Sequence, residues 1–193
     1  MSGVDRERIE AATRELLVAI GESVDRAGLE NTPQRVAEAY AEFFHGVGED
    51  PLELLGEGIP LDEGDSGEIV MVRDIALRSM CEHHLLPFLG TAHVAYAPHE
   101  RVVGLGRIPR VVDVLAARPQ VQERLGEQIA DAISTGLDAA GVLVIIDAAH
   151  SCVTARGTQQ ARSTTVTLAS RGTFSDPIQR AEVVALISRG DAS

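Results

Sequence analysis

Residues 91–98 read TAHVAYAP, and the apolar side chains of Ala92, Val94 and Tyr96 recur there at every second position. A period of two is typical of a β-strand that buries one face. The segments EIVMVRDIAL (68–77) and RVVGL (101–105), on either side of it, predict further short strands. A group of strands in the middle of the chain therefore decides the fold.

Helical and strand patterns alternate after these strands. A helix is predicted at IPRVVDVLAAR, and a second one begins at Pro119 with apolar residues at helical spacing. GVLVIIDAAH and STTVTLAS predict two strands, and DPIQRAEVVALISRG predicts a closing helix that starts at Asp176 and Pro177. This order indicates the α+β class, with an antiparallel sheet and helices on one side.

The part of the chain before the strands is predicted to be helical. An amphipathic helix is expected from Asp5 to about Gly28, and a second helix at NTPQRVAEAYAEFF, where Thr32 can cap it and Pro33 suits its first position. Residues 46–67 are rich in Gly, Glu, Asp and Pro and predict a connection. We therefore expect an N-terminal helical region at 1–50 and a domain that carries the chemistry at 68–193.

Composition and charge restrict the partners. The chain has 193 residues, of which 45% are apolar and 24% charged, an ordinary balance for a globular protein. Its net charge of −12 argues against a nucleic-acid or membrane surface, since basic fields attract those partners. No run is apolar enough to cross a bilayer, and the first residues lack a signal-peptide pattern, so we expect a cytoplasmic protein.

Both cysteines of the chain lie close to histidines. Cys81 and His84 are spaced as C-x2-H within SMCEHHLLPF, so that a thiolate and an imidazole from one turn can reach the same ion. His150 and Cys152 follow the apolar strand at 142–148 and would share a face if that segment stayed extended. Together the two segments predict a Cys-His-Cys metal site.

Three protein ligands leave one tetrahedral position open, which is the arrangement of a catalytic zinc. Water there could attack as hydroxide, and the spare histidines, His83 and His150, could move protons. The main structural alternative is a disulfide between Cys81 and Cys152. We interpret His93 and His99 as ordinary surface or core histidines.

Three arginines and a helix start suggest recognition of an anion. Arg107 and Arg110 lie at the start of the helix after RVVGL, and Arg156 follows Cys152. The planar guanidinium group suits phosphate oxygens, and a helix N-terminus adds positive potential. Each arginine alone would be a solvated surface residue, but their position near the metal segments in an acidic protein favours a phosphate-bearing substrate.

The segment VQERL places Gln122 and Glu123 in the first turn of a helix. Acidic residues are common there because they interact favourably with the helix dipole. The carboxylate could instead accept hydrogen bonds from two donors such as the N–H and NH2 edge of guanine. The pattern leaves both interpretations open.

Several segments resemble, in order and spacing, the signature segments of GTP cyclohydrolase I. The resemblance covers roughly residues 31–187, and the combination of CEHH, QVQERL and H-x-C-x3-RG is highly specific. The segments are NTPQRVAEAYAEFFHG, SMCEHHLLPFLG, VVGLGRIPRVVDVLAARPQVQERLGEQIADAI, HSCVTARG and STTVTLASRGTF.

This resemblance implies a tunnel fold that assembles into a toroidal homodecamer of two face-to-face pentamers, with active sites at subunit boundaries. It implies hydrolysis of GTP to 7,8-dihydroneopterin triphosphate and formate, the first step of tetrahydrofolate and pterin biosynthesis. The implied partners are a small GTP-like nucleotide and further copies of the chain, with neither nucleic acid nor a membrane.

The resemblance also assigns roles to residues. Cys81, His84 and Cys152 would bind Zn²⁺, whose water attacks C8 of guanine. His150 would protonate N7, and His83 would assist near the ribose. The implied substrate-binding residues hold the guanine edge (Gln122 and Glu123) and the triphosphate side (Leu105, Gly106, Arg107, Arg110, Arg156 and, from a neighbouring subunit, Arg35).

Two departures from the family pattern lie beside the phosphate and ribose region. Gly106 and Arg107 stand where the family usually has Ser and Lys, and TQQAR at 158–162 replaces a Lys-Pro-Gly-like turn. Arginine keeps the charge but presents a wide fork in place of a compact ammonium. Three hypotheses follow: GTP cyclohydrolase I itself, a specialised paralogue that opens another purine nucleotide or serves a secondary pathway, and a non-catalytic tunnel-fold module whose metal is structural.

Overall fold

A computed structural model describes residues 3–62, 67–157 and 159–188. The chain forms two compact units, one up to Glu49 and the other from Asp50. Thr158, the first residue of the TQQAR segment, and the last residues of the predicted closing helix lie outside the described ranges. Within those ranges, no helix has both the length and the apolar character needed to cross a bilayer.

Seven helices and seven strands are described, and a single 3₁₀ turn lies at Thr173–Ser175. In chain order the elements are α1 (Arg6–Ala19), α2 (Thr32–Phe43), α3 (Pro51–Leu55), β1 (Ile59–Pro60), β2 (Val70–Cys81), β3 (Pro87–Ala97), β4 (Arg101–Val102), α4 (Arg107–Ala116), β5 (Pro119–Gln120), α5 (Gln122–Leu137), β6 (Gly141–His150), α6 (Ser151–Thr154), β7 (Thr165–Gly172) and α7 (Pro177–Ser188).

The N-terminal unit is a pair of packed helices. The side chain of Asp5 accepts a hydrogen bond from the backbone N–H of Arg8 and so caps α1. Helix α1 ends at Ala19, well before Gly28, so the predicted first helix was too long. Helix α2 begins at Thr32 with Pro33 in its first turn, where proline is tolerated because the first N–H groups of a helix have no partner within it. The prediction that Thr32 caps the helix is wrong, because Asn31 takes the cap position and Thr32 is the first helical residue.

The second unit contains a five-stranded sheet with the order β5-β2-β3-β6-β7. All neighbours are antiparallel except the short β5–β2 pair, which is parallel. The predicted α+β class with an antiparallel sheet is confirmed. Strands β1 and β4 form a separate two-stranded pair, and both β1 and α3 lie in the segment predicted to be only a connection.

Helices α4 and α5 cover one face of the sheet. The buried side chains of α5 recur at helical spacing, at Leu125, Ile129 and Ile133, and pack with the even-numbered residues of β3 and β6 such as Val94 and Val144. Helix α5 begins at Gln122, three residues after the predicted start. Pro119 and Gln120 instead pair with the end of β2, and this extended pairing delays the helix.

The opposite face carries α7 at one end. Val183 and Ile187 of α7 pack with Phe174 and with the odd-numbered residues Leu143 and Ile145 of β6. Because successive side chains of a strand point to opposite faces, this second cluster lies on the other side of the sheet from α4 and α5. Helices α4 and α5 lie on one side of the sheet, as predicted. Helix α7 lies on the other side, so the prediction does not hold for it.

The strand register brings the ends of β2 and β6 together. Phe88 of β3 pairs with Ser79 of β2 on one side and with His150 of β6 on the other. Since β2 and β6 both run antiparallel to β3, their C-terminal ends lie at the same edge of the sheet. The segments that contain Cys81 and Cys152 therefore leave the sheet side by side.

We expect Gly90→Ala to destabilise the second unit strongly. A Cβ atom at Gly90 would lie 1.9 Å from the backbone oxygen of Asp147 and 2.6 Å from the Cα of Ala148, so β3 and β6 would have to separate. Forced overpacking costs about 1–3 kcal/mol and occasionally more, and a backbone clash this close lies at the upper end. The change is measured as the free energy of unfolding in urea. Gly106→Ala is the control, because a Cβ there meets no atom within 4 Å, and equal stability of the two variants would contradict the prediction.

Candidate metal centre and active site

A tight turn at the end of β2 presents the first two candidate ligands. The backbone N–H of Leu85 donates to the oxygen of Cys81 at 2.8 Å, and the N–H of Cys81 donates to the oxygen of Leu86 at 2.9 Å. Leu85 adopts a left-handed conformation with φ of 49°, which reverses the chain. The turn keeps Cys81 buried at the end of the strand and leaves His84 exposed.

The third candidate ligand lies on a short helix. Strand β6 ends at His150, and Ser151–Thr154 form one helical turn, α6. The prediction that His150 and Cys152 share one face of an extended segment is therefore wrong. The helical turn redirects Cys152, which is partly buried and packs against the main core.

The ligand atoms of Cys81, His84 and Cys152 all lie within 4.8 Å of one another. Two sulfurs and one imidazole nitrogen are donors that suit a soft or borderline divalent cation. Both cysteines are free thiols, so the structure contains no disulfide between them. The structure thus brings together the three residues that the sequence motifs singled out, in a geometry that could hold a metal.

The surroundings of Cys152 affect its thiol. Burial raises the pKa of the Cys152 thiol, and the neighbouring Cys81 raises it further. The positive charge of Arg156 acts in the opposite direction, which places that arginine near the thiol. A bound cation would favour the thiolate form at both sulfurs, because metal ligation requires deprotonated cysteine.

His150 is held on two sides. Its ring stacks on that of Phe88, with ring centroids 4.6 Å apart and planes 9° from parallel. Its Nε2 lies 2.7 Å from Oε1 of Gln122. Burial lowers the pKa of His150, and the carboxylate of Glu123 partly offsets this effect. Glu123 is exposed at the start of α5, so its charge lies near both His150 and solvent.

Gln122 lies in the core and makes its contacts within the protein. Only 1% of its surface is exposed, and the two hydrogens of its amide nitrogen face three acceptors, Ile146 O, Thr165 O and Thr167 Oγ1. The amide is therefore engaged within the protein, and its predicted contact with a guanine edge stays a prediction. Gln122 occupies a position of the apolar stripe of α5, and that position is the sequence signal for its burial.

His83 lies next to the candidate metal ligands but is not one of the three converging donors. Its Nδ1 lies 3.9 Å from the sulfur of Cys81, and its Nε2 lies 3.9 Å from Oε1 of Glu82. Its side chain is 65% exposed. His83 is thus available to a ligand in solution, and its predicted catalytic part stays a prediction.

Four predicted substrate-binding residues line one open pocket. Leu105, Gly106, Arg107 and Arg110 surround it together with Gly104, and its volume is about 320 Å³. The hydroxyl of Tyr96 accepts a hydrogen bond from the N–H of Val103 and so ties the loop before this pocket to β3.

Arg107 also has a partner within the protein. Its Nη1 donates to the backbone oxygen of Leu54 at 2.8 Å, at the end of α3. Arg156 is exposed, beyond α6. Arg35 lies in α2 of the N-terminal unit, and its contribution to a site stays a prediction.

A pair of charged residues that the sequence analysis did not single out anchors the turn. The carboxylate of Glu82 accepts a hydrogen bond from Arg124 of α5, and this contact lowers the pKa of Glu82. The backbone N–H of Glu82 also donates to Gln120 O at 3.0 Å. Glu82 stands between Cys81 and His83, so α5 holds the turn that carries the candidate ligands. A lone Glu and a lone Arg, 42 residues apart, carry no sequence pattern that would pair them.

Fold and site together define an α+β protein with a candidate Cys-His-Cys metal centre at one edge of its sheet. The family model described as GTP cyclohydrolase I matches residues 9–188. The chain belongs to the GTP cyclohydrolase I family, and its sheet and helices are those of a tunnel fold.

Curated relatives agree with this assignment. The chain is 62% identical over 192 residues to a protein named GTP cyclohydrolase 1 from Leifsonia xyli subsp. xyli, with 100% of both chains covered. It is 53% identical to the protein of that name from Carboxydothermus hydrogenoformans, covering 95% of each chain. It is 52% identical to the one from Rhodopirellula baltica, covering 96% of this chain and 80% of the relative.

We expect His84→Ala to weaken divalent-metal binding by more than about 10-fold, because it removes one of three converging donors. The measurement is competition with a chromophoric chelator on the full chain. His99→Ala is the matched control, since His99 pairs with Asp138 instead. Equal metal affinity of the two variants would contradict the assignment of the ligands.

We expect Arg124→Met to weaken metal binding by about 2- to 5-fold at most, since an exposed ion pair contributes only modestly to holding the turn. The same chelator competition measures the effect. Arg14→Met, which breaks an exposed pair with Glu10 in α1, is the control. If both variants bind metal as the parent chain does, Arg124 does not hold the ligand turn.

Proposed function

We propose that the chain hydrolyses GTP to 7,8-dihydroneopterin triphosphate and formate, with Zn²⁺ held by Cys81, His84 and Cys152. The observation that carries the proposal is the convergence of these three donors beside His150, in a chain that belongs to the GTP cyclohydrolase I family. This reaction is the first step of pterin and tetrahydrofolate biosynthesis.

The donor set fits zinc in a catalytic rather than a closed site. Cys81, His84 and Cys152 offer three ligands, and the exposure of His84 means that the group borders solvent. Zn²⁺ bound there would act as a Lewis acid and lower the pKa of water. The protein's own side chains would transfer the protons and bind the substrate.

His150 is the proposed general acid. As an imidazolium it would give a proton to N7 of guanine when the C8–N bond breaks, and its lowered pKa lets it return readily to the neutral form. Glu123, exposed beside it, would accept hydrogen bonds from the N–H and NH2 groups of the guanine edge. His83 would assist at the ribose.

The triphosphate would lie along the open pocket beyond Gly104. Arg110 and Arg107 line this pocket and stand at the start of α4, where the helix dipole adds positive potential. Arg156 would approach from the side of α6. We propose further that the chain works in the cytoplasm as a toroidal homodecamer, in which Arg35 of a neighbouring subunit completes the anion site.

A second candidate function is the opening of a different purine nucleotide. The observation that favours it is the hydrogen bond from Arg107 to Leu54 O, which engages part of the guanidinium within the protein. Gly106 also lacks the hydroxyl that serine would offer to a substrate. Both features concern the triphosphate side and leave the metal group unchanged.

The zinc-loaded protein is expected to release formate and a pterin, fluorescent after oxidation, when it is given GTP. His150→Ala is expected to keep its zinc and lose about 10²- to 10⁴-fold in kcat, the usual contribution of general acid–base catalysis. Formate, oxidised pterin and zinc content are measured on the same samples.

The substrate series separates the alternatives. Turnover of another purine nucleotide but not of GTP would support the paralogue and reject GTP as substrate. Zinc-loaded protein that turns over no purine nucleotide would reject both enzyme proposals and leave a structural metal.

A further inference from the structure

The side chain of Gln122 has only one possible orientation. Its amide nitrogen lies 3.1 Å from Ile146 O and 2.8 Å from Thr165 O. Backbone carbonyl oxygens only accept hydrogen bonds, so the NH2 group of the amide has to face them. The hydroxyl of Thr167 lies 3.1 Å from the same nitrogen and adds a third contact. The amide oxygen, Oε1, therefore faces the other way, toward His150.

This orientation determines which nitrogen of His150 carries a hydrogen. Oε1 of Gln122 lies 2.7 Å from Nε2 of His150 and can only accept. A neutral imidazole has one N–H and one lone pair, and a lone pair at Nε2 would face the lone pairs of Oε1. Because Gln122 is 99% buried, no water could relieve that repulsion at low cost.

The plane of the ring is held independently. Phe88 stacks on His150 with centroids 4.6 Å apart and planes 9° from parallel. The two residues are register partners of β3 and β6, so the stacking follows from the strand pairing itself. The stacking on Phe88 fixes the tilt of the imidazole plane, and the hydrogen bond to Gln122 fixes the rotation of the ring within that plane.

We propose that Gln122 is a positioning residue that holds His150 in the Nε2–H tautomer and leaves Nδ1 as the nitrogen that exchanges a proton with the substrate. The reference to substrate rests on the proposed function. In the acid step the Nδ1–H bond of the imidazolium breaks, the proton forms an N–H bond on a purine nitrogen, and the electron pair stays on Nδ1. The Nε2–H bond to Gln122 is the same before and after.

This arrangement has a mechanistic advantage. Neutral imidazole and imidazolium both donate from Nε2, so the contact with Gln122 need not change when the proton leaves. The two hydrogens of the amide nitrogen are shared among three acceptors on β6 and β7, and these contacts hold the amide in place. A buried core glutamine thereby sets the geometry of a group that works at the edge of the sheet.

The tautomer is tested by ¹⁵N–¹H correlation spectra of the full chain with ¹⁵N-labelled histidine, with zinc bound. The His150 signals are assigned by their loss in His150→Ala. We expect neutral His150 to carry its hydrogen on Nε2, and Gln122→Met to populate both tautomers. Gln120→Met is the matched control, because Gln120 is equally buried and also donates to a backbone carbonyl, that of Leu115, but does not touch His150. We expect it to keep the parent spectrum of His150.

Kinetics supply the second readout. Gln122→Met is expected to lower kcat about 10- to 100-fold with little change in KM and in zinc affinity, because it misplaces the acid without removing it. A spectrum of the parent chain with the hydrogen on Nδ1 overturns the proposal even if the variant does not fold. A variant that mixes tautomers but keeps full kcat overturns the positioning role. If the parent chain does not turn over GTP, the proposed function fails, while the spectra still decide the tautomer.

Discussion

The register of three strands is the constraint on which the site depends. Ser79, Phe88 and His150 form one row across β2, β3 and β6. Cys81 follows Ser79 by two residues, and Cys152 follows His150 by two residues. Their sulfurs lie close enough to bind the same ion. A slip of β6 by one residue would turn His150 to the opposite face and separate it from both Phe88 and Gln122. The strand pairing therefore positions both the candidate ligands and the candidate acid, and the tight contact of Gly90 with β6 helps to hold it.

Some of the site was predictable because its chemistry is local. Cys81 and His84 lie in one turn, and a spacing of three residues brings their donor atoms together without knowledge of the rest of the chain. His150 and Cys152 follow an apolar strand that had to be buried. The α+β class followed from the change of hydrophobic period along the chain, from two in the strands to that of a helix in α4 and α5.

Other features could not be predicted because they depend on partners distant in sequence. The contact of Glu82 with Arg124, and the one of Arg107 with Leu54 O, each join residues that no pattern links. The short pairing of Pro119 with Met80 replaced the predicted helix start by a strand. The hydrogen bonds of Gln122 likewise join α5 to β6 and β7, and no local pattern around residue 122 indicates them.

The start of α5 shows why neighbours in sequence have different tasks. Successive residues of a helix are rotated by about 100°, so Gln122 enters the core while Glu123 stays exposed and Arg124 reaches the ligand turn. One helical turn thus has three roles. Gln122 contacts the imidazole of His150, Glu123 is exposed to solvent near that imidazole, and Arg124 contacts the turn that carries Cys81. Because α5 also fills the main core, these contacts are held by the same packing that stabilises the fold. The helix that packs in the core through Leu125 and Ile129 is therefore the same helix that positions His150 and the ligand turn.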